Sequence, residues 1–137
     1  MEKTLVLIKP DAFGKNHAGA ILKIYEDAGF KILAAKVMRM TPELAAKHYV
    51  EHIGRPYYAA LVEFMTSAPV MAVVLAGDDV IKKVRELNGA TNPAEAAEGT
   101  IRKLYAQDKT KNAVHASDSS ASAAREISIF FSECEIF

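Results

Sequence analysis

The sequence has a single cysteine, no net charge and no long apolar run, and each of these excludes something. Cys134 cannot form an internal disulfide, and its place near the end offers little scaffold for a catalytic thiol, so it reads as incidental. The 17 basic and 17 acidic side chains cancel, which removes the long-range positive field that draws a protein to nucleic acid or anionic lipid. Any anion bound here has to meet a local cluster of cations. The apolar stretch after Met1 runs only from Leu5 to Ile8, far short of a signal or membrane segment, and the expected location is the cytoplasm. No repeat, low-complexity tract or linker interrupts the chain. At 137 residues, half of them apolar, it is expected to form one domain over 1–137.

Residues 4–8 and 70–76 are short, nearly continuous apolar runs rich in branched side chains, which suits strands covered on both faces, and a third strand fits 31–39. Between them Ala18, Ile21, Leu22, Tyr25 and Ala28 recur at helical spacing, with Gly29 as a C-terminal cap, so 17–28 is expected to be helical. Thr41-Pro42 opens another helix through about His52, and Arg55-Pro56 breaks it. In the helix that follows, Tyr58, Leu61, Val62 and Met65 form one apolar stripe, and Tyr57, Leu61 and Phe64 form a second. That helix is expected to touch the core and something else. A further helix fits 79–88, a short strand lies near Ala113 to His115, and Ala123, Ile127, Phe130 and Phe131 mark a last helix. Asn88 to Lys111 reads as a loop too long to lack a function. Helices packed on a small sheet follow, and the function has to come from the site.

The most specific stretch is Asn112-Ala113-Val114-His115-Ala116-Ser117-Asp118-Ser119, which resembles the active-site signature of the nucleoside diphosphate kinases. Ile8-Lys9-Pro10-Asp11, His48-Tyr49, Arg55-Pro56-Tyr57-Tyr58, Gly89-Ala90-Thr91-Asn92-Pro93, Gly99-Thr100-Ile101-Arg102 and Ala124-Arg125-Glu126-Ile127 resemble family blocks in the same order. The resemblance covers essentially the whole chain and is of the bacterial type, with a short C-terminal segment. It implies an α+β fold with a ferredoxin-like, four-stranded antiparallel sheet. It also implies ping-pong transfer of the terminal phosphate of a nucleoside triphosphate, mainly ATP, to a nucleoside diphosphate, which maintains triphosphate pools.

The chemistry asks for a nucleophile that is unprotonated near neutral pH, and an imidazole with a pKa of about 6.5 qualifies. By resemblance His115 is the residue phosphorylated, and Glu126 is the carboxylate that orients its ring. Ser117 resembles the hydroxyl beside the histidine and is equally placed to cap the next helix. His17, His48 and His52 lack such context and read as ordinary core or surface residues. Lys9, Arg85 and Arg102 are the implied phosphate cations, Thr91 the phosphate-binding hydroxyl, and Tyr49 a site tyrosine near the histidine and Lys9. Tyr57 and Leu61 resemble the nucleotide-pocket residues that receive the base, and Asn112 the ribose contact. No Walker loop occurs. No acidic cluster at metal spacing occurs either, so Mg²⁺ is expected to arrive on the nucleotide phosphates.

Three departures from the family pattern stand out. Ala116 replaces the usual glycine and requires an ordinary backbone angle. Tyr57 replaces phenylalanine, and Lys109 stands where an apolar residue often closes the base site. The family forms homo-oligomers built on dimers, usually tetramers or hexamers. Two rivals are a non-catalytic nucleotide-binding regulatory domain, which would not need His115, and a nucleic-acid-binding module, which zero net charge and the lack of an aromatic strand motif disfavour.

Overall fold

The computed structural model describes residues 1–137. Four strands, β1 (Glu2–Ile8), β2 (Lys31–Met38), β3 (Val70–Gly77) and β4 (Val114–Ala116), form one sheet in the order β2-β3-β1-β4. All three pairings are antiparallel. The helices are α1 (Pro10–Gly14), α2 (Ala18–Asp27), α3 (Pro42–His48), α4 (Tyr58–Thr66), α5 (Val80–Asn88), α6 (Ile101–Tyr105) and α7 (Ser120–Phe130), with 3-10 turns at Val50–His52, Pro93–Glu95 and Glu133–Glu135. This is the expected antiparallel α+β arrangement.

The continuous apolar runs of β1 and β3 follow from helices on both faces. Successive side chains of a strand point to opposite faces. Val6 and Ile8 of β1 join Val73 and Leu75 of β3 in one core, closed by Ile21 and Tyr25 of α2 and Val80, Ile81 and Val84 of α5. Leu5 and Leu7 join Val70, Ala72 and Val74 in the other core, closed by Ala45 of α3, Met65 of α4 and Phe130 of α7. The two central strands are thus buried on both faces, while β2 at the edge stays largely exposed or half-buried.

Several helix starts are set locally. Thr41 accepts the Leu44 N–H, with Pro42 at the first helical position, and Thr100 accepts the Lys103 N–H at the start of α6. The cap of α7 is Ser119, which accepts the Ser122 N–H, and not Ser117. Ser117 is fully buried and accepts the Leu5 N–H at 3.2 Å, so it ties β1 to the strand end. The segment expected as an unbroken loop contains α6, which the buried Ile101 and the partly buried Tyr105 anchor in the core. Helix α1 is an element beyond those expected, and Pro10 and Asp11 are its start signals. The helix expected through His52 ends at His48 and continues as the 3-10 turn. Ala116 lies in β4 opposite Val6 and is not among the positive-φ residues, so alanine fits there without strain.

Candidate active site

The site is built where β1 ends and β4 begins. Register sets Leu7 opposite His115 and Ile8 opposite Val114, so Lys9 falls beside residues 112 and 113. Val114 and Ala116 face the α2/α5 core. His115, one residue out of phase, faces the other side, where His48 packs edge-on at 4.5 Å between ring centroids. Together these place the imidazole at the floor of a cleft of about 800 Å³. Lys9, Tyr49, Tyr57, Leu61, Arg85, Thr91, Arg102, Asn112, His115 and Glu126 all line it. Of the residues expected there, only Ser117 does not, because it lies behind the wall. A neighbouring groove shares Arg85 and Gly89 but has no histidine in its lining.

Glu126 sits on α7 and is 5 % exposed. Its Oε1 lies 2.8 Å from His115 Nε2 and accepts the Ser117 hydroxyl at 2.9 Å. An ionised carboxylate accepts only, so this network assigns the ring proton to Nε2 and leaves the Nδ1 lone pair without a protein partner. Arg125 reaches the other carboxylate oxygen at 3.6 Å. A buried serine, a buried glutamate and the ring therefore fix both the tautomer and the orientation of the imidazole.

The cations are gathered from three elements, as only folding could do. Lys9 is 7 % exposed and donates from Nζ to Asn112 Oδ1 at 2.8 Å. Burial, with the Arg102 charge adding to it, brings its ammonium down to about 8, while Asp11 works the other way. Arg102 on α6 bonds three backbone carbonyls, those of Gly89 (2.8 Å), Val114 (2.9 Å) and Asn112 (3.3 Å). Of the five N–H groups of a guanidinium, two remain for another acceptor. Gly89 meets Arg102 with φ +87, and a Cβ there would stand 2.6 Å from the Thr100 hydroxyl, so both backbone angle and space demand glycine. Asn112 uses its amide as well, donating to the carbonyls of Lys109 (3.1 Å) and Thr91 (3.3 Å). It thereby pins the long segment to the floor.

Between Asn112 and Val114 the backbone makes an unusual turn. Ala113 has φ +73, and the Val114 N–H returns to the Asn112 carbonyl at 2.9 Å, an i to i+2 bond that closes a strained γ-turn. A left-handed non-glycine residue costs about 1–3 kcal/mol and persists only where its surroundings over-determine it. Here the Lys9 N–H binds the Ala113 carbonyl at 2.9 Å, and the Asp11 carboxylate accepts the Ala113 N–H at 3.0 Å.

The mouth is different. Tyr57 is 49 % exposed, one turn before Leu61 on α4, and its hydroxyl pairs with His52 Nδ1. Tyr57, His52, Tyr49, His48 and His115 form an unbroken series of edge-to-face or tilted rings, with centroids 4.5–6.0 Å apart. His48 and His52, which read as ordinary residues in the sequence, both line the cleft, as do Arg125 and Asp118. The signal that could have found the two histidines is their spacing of four around Tyr49, which puts them on one side of a helical turn. Burial, with His115 and Arg125 adding to it, takes the His48 imidazole down to about 2, so it stays neutral.

His48, His115 and Glu126 are the one group of donors close enough to share a metal. Two imidazoles and one carboxylate among cations do not suit Mg²⁺, which prefers oxygen ligands.

The nucleoside diphosphate kinase family model matches residues 2–136. The chain superposes with a TM-score of 0.97 on the nucleoside diphosphate kinase of Aquifex aeolicus, at 49% identity over 99% of both chains. The halophilic enzyme of Halobacterium salinarum, solved in complex with CDP, gives 0.97 at 41% identity over 99% of this chain and 91% of that one. A family protein of Babesia bovis gives 0.96 at 39% identity over 100% and 93%. With residues 2–136 matched by the family model and the relatives superposed over nearly all of both chains, the chain belongs to the nucleoside diphosphate kinase family and is a phosphotransferase.

Proposed function

We propose that this enzyme works by ping-pong transfer through His115, with ATP as the main donor and nucleoside diphosphates as acceptors. The observation that carries this reading is the Glu126 contact to Nε2, which leaves the Nδ1 lone pair as the nucleophile. That lone pair attacks the terminal phosphorus, the bond to the bridging oxygen breaks, and its electrons leave with the nucleoside diphosphate. In the second half, a terminal oxygen of the acceptor diphosphate attacks the phosphohistidine and the P–N bond breaks toward the ring. Lys9, Arg85 and Arg102 would hold the phosphate oxygens in line and stabilise the charge that builds on them, with Thr91 adding a hydroxyl.

Tyr57 would stack the base with Leu61 beside it, and a flat ring accepts any base because it reads no edge. Asn112 would meet the ribose hydroxyls. Tyr49 would wall the nucleophile; burial raises its phenol, so it stays protonated. Mg²⁺ would neutralise phosphate charge and be held by the nucleotide, since no protein site suits it. A cytoplasmic homo-oligomer built on dimers, maintaining triphosphate pools, completes the reading; no helix is long and apolar enough to cross a membrane.

The test is to incubate the protein with Mg²⁺ and ATP labelled in the terminal phosphate, isolate it, and add unlabelled GDP. Acid-labile, alkali-stable label should appear on the protein and pass to GTP, and NMR of the phosphoprotein should give the Nδ1 isomer. A protein that binds ATP yet never becomes labelled refutes the reading.

A further inference from the structure

The strained turn at Ala113 has every backbone polar group of its central residue tied to the start of α1, and one of those ties is a side chain that the mechanism above does not use. We propose that Asp11 is a positioning residue for phosphotransfer: by accepting the Ala113 N–H it holds the left-handed turn that aims Asn112 and His115. This rests on the reading of His115 as nucleophile.

Ala113 is fully buried, so its N–H has no access to water, and without the carboxylate it would be an orphaned donor. The turn would then relax toward the extended backbone an alanine prefers, rotating the peptides on either side. Those peptides carry Asn112, which fixes Lys9 Nζ, and lead within two residues to His115. The other oxygen of Asp11, Oδ1, is buried without a partner. A carboxylate that served only the first turn of a short helix would keep both oxygens in water. Burying one unsatisfied oxygen is unfavourable, and the arrangement is explained if the second oxygen is committed to the turn. Asp11 also lies close enough to Lys9 to favour its charge, so the test has to separate that influence from the bond to Ala113.

A double-mutant cycle does so. Asp11→Ala removes bond and charge together. Ala113→Gly lets the turn form without being held, because glycine adopts positive φ freely. The charge effect on Lys9 is common to both backgrounds and cancels in the cycle. Asp11→Ala should lower kcat by about 10²-fold, as expected for a nucleophile displaced by about 1 Å, with nucleotide KM changing less than about 3-fold. In the Ala113→Gly background the same substitution should lower kcat by less than about 5-fold. Imidazole ¹⁵N shifts of His115, recorded without nucleotide, should move on Asp11→Ala and return in the double variant.

Equal losses in the two backgrounds, or ring shifts indifferent to Asp11, overturn the proposal and leave the nucleophile assignment intact. Failure of the wild-type protein to take label removes that assignment itself. Should Asp11→Ala not fold, Asp11→Asn is read in its place, since it keeps an acceptor oxygen. It should retain kcat within about 5-fold below pH 7, and a loss that persists there with and without Ala113→Gly overturns the proposal.

Discussion

The floor and the mouth of the cleft are built on opposite principles. At the floor, Lys9, Asn112, Glu126 and Ser117 are nearly or fully buried, and Arg102 is bonded to three carbonyls, so the groups around His115 are held before any substrate arrives. At the mouth, Tyr57, Arg85, Thr91 and Lys109 are exposed, and a single pairing with His52 steadies the tyrosine. Charge that develops in a transition state is best met by dipoles that need not reorganise, whereas a base that varies is best met by a surface that adapts. On the proposed reading the floor holds the nucleophile fixed, while the mouth carries the platform for the base together with the exposed Arg85 and Thr91 that would meet the phosphates.

The strongest way to break this comparison is His115→Ala, which should lower transfer by at least about 10⁴-fold and abolish protein labelling, with nucleotide affinity retained by equilibrium titration. Residual ping-pong turnover would move the nucleophile elsewhere. Glu126→Gln weakens the orienting contact and should lower kcat by about 10²-fold with KM little changed. A KM effect instead would make Glu126 part of binding. Arg102→Ala should slow transfer about 20-fold and also destabilise the fold by about 2 kcal/mol, because the three carbonyls lose a charged donor; a thermal melt reads the second effect. Arg102→Lys should not restore stability, since a single ammonium cannot span three carbonyls as the fork does.

Lys9 gives a pH signature. With its ammonium held near 8, protons leave as pH rises through that value, so kcat/KM should fall about tenfold per pH unit above it. Lys9→Arg should move that limb upward. Stability runs the other way. The folded value lies below the unfolded one, so the burial penalty is fully present below about 8 and is relieved as pH climbs from there toward 10.5. The smallest expected effect sharpens the contrast. Tyr57→Ala should raise nucleotide KM about fivefold, the low end of what stacking contributes, at nearly constant kcat. Tyr57→Phe should do less.

Much of the fold was legible because β1, β3, α2 and α7 have long, unambiguous patterns. Helix α6 was not, since five residues with one buried side chain carry too little periodicity to be seen. The residues lining the cleft were legible only through ordered blocks that resemble a family. What Arg102 and Asp11 bind was not: the carboxylate of Asp11 and the amide of Ala113 are 102 positions apart, and no local rule brings them together. His48 illustrates the same limit. In the sequence it is one of four histidines, and only packing against Tyr49, Phe130 and His115 makes it the wedge behind the His115 ring.

The ring series from Tyr57 to His115 draws four of its five members from residues 48–57, a single contiguous stretch. If His115 is the nucleophile and Tyr57 the base platform, as proposed, that stretch is a ruler between the two. Exchanging one of its rings for another of similar shape is expected to lower transfer less than changing its length, which steady-state kinetics of the two kinds of variant would check. On the proposed reading, adding or deleting one residue would shift the base platform relative to His115.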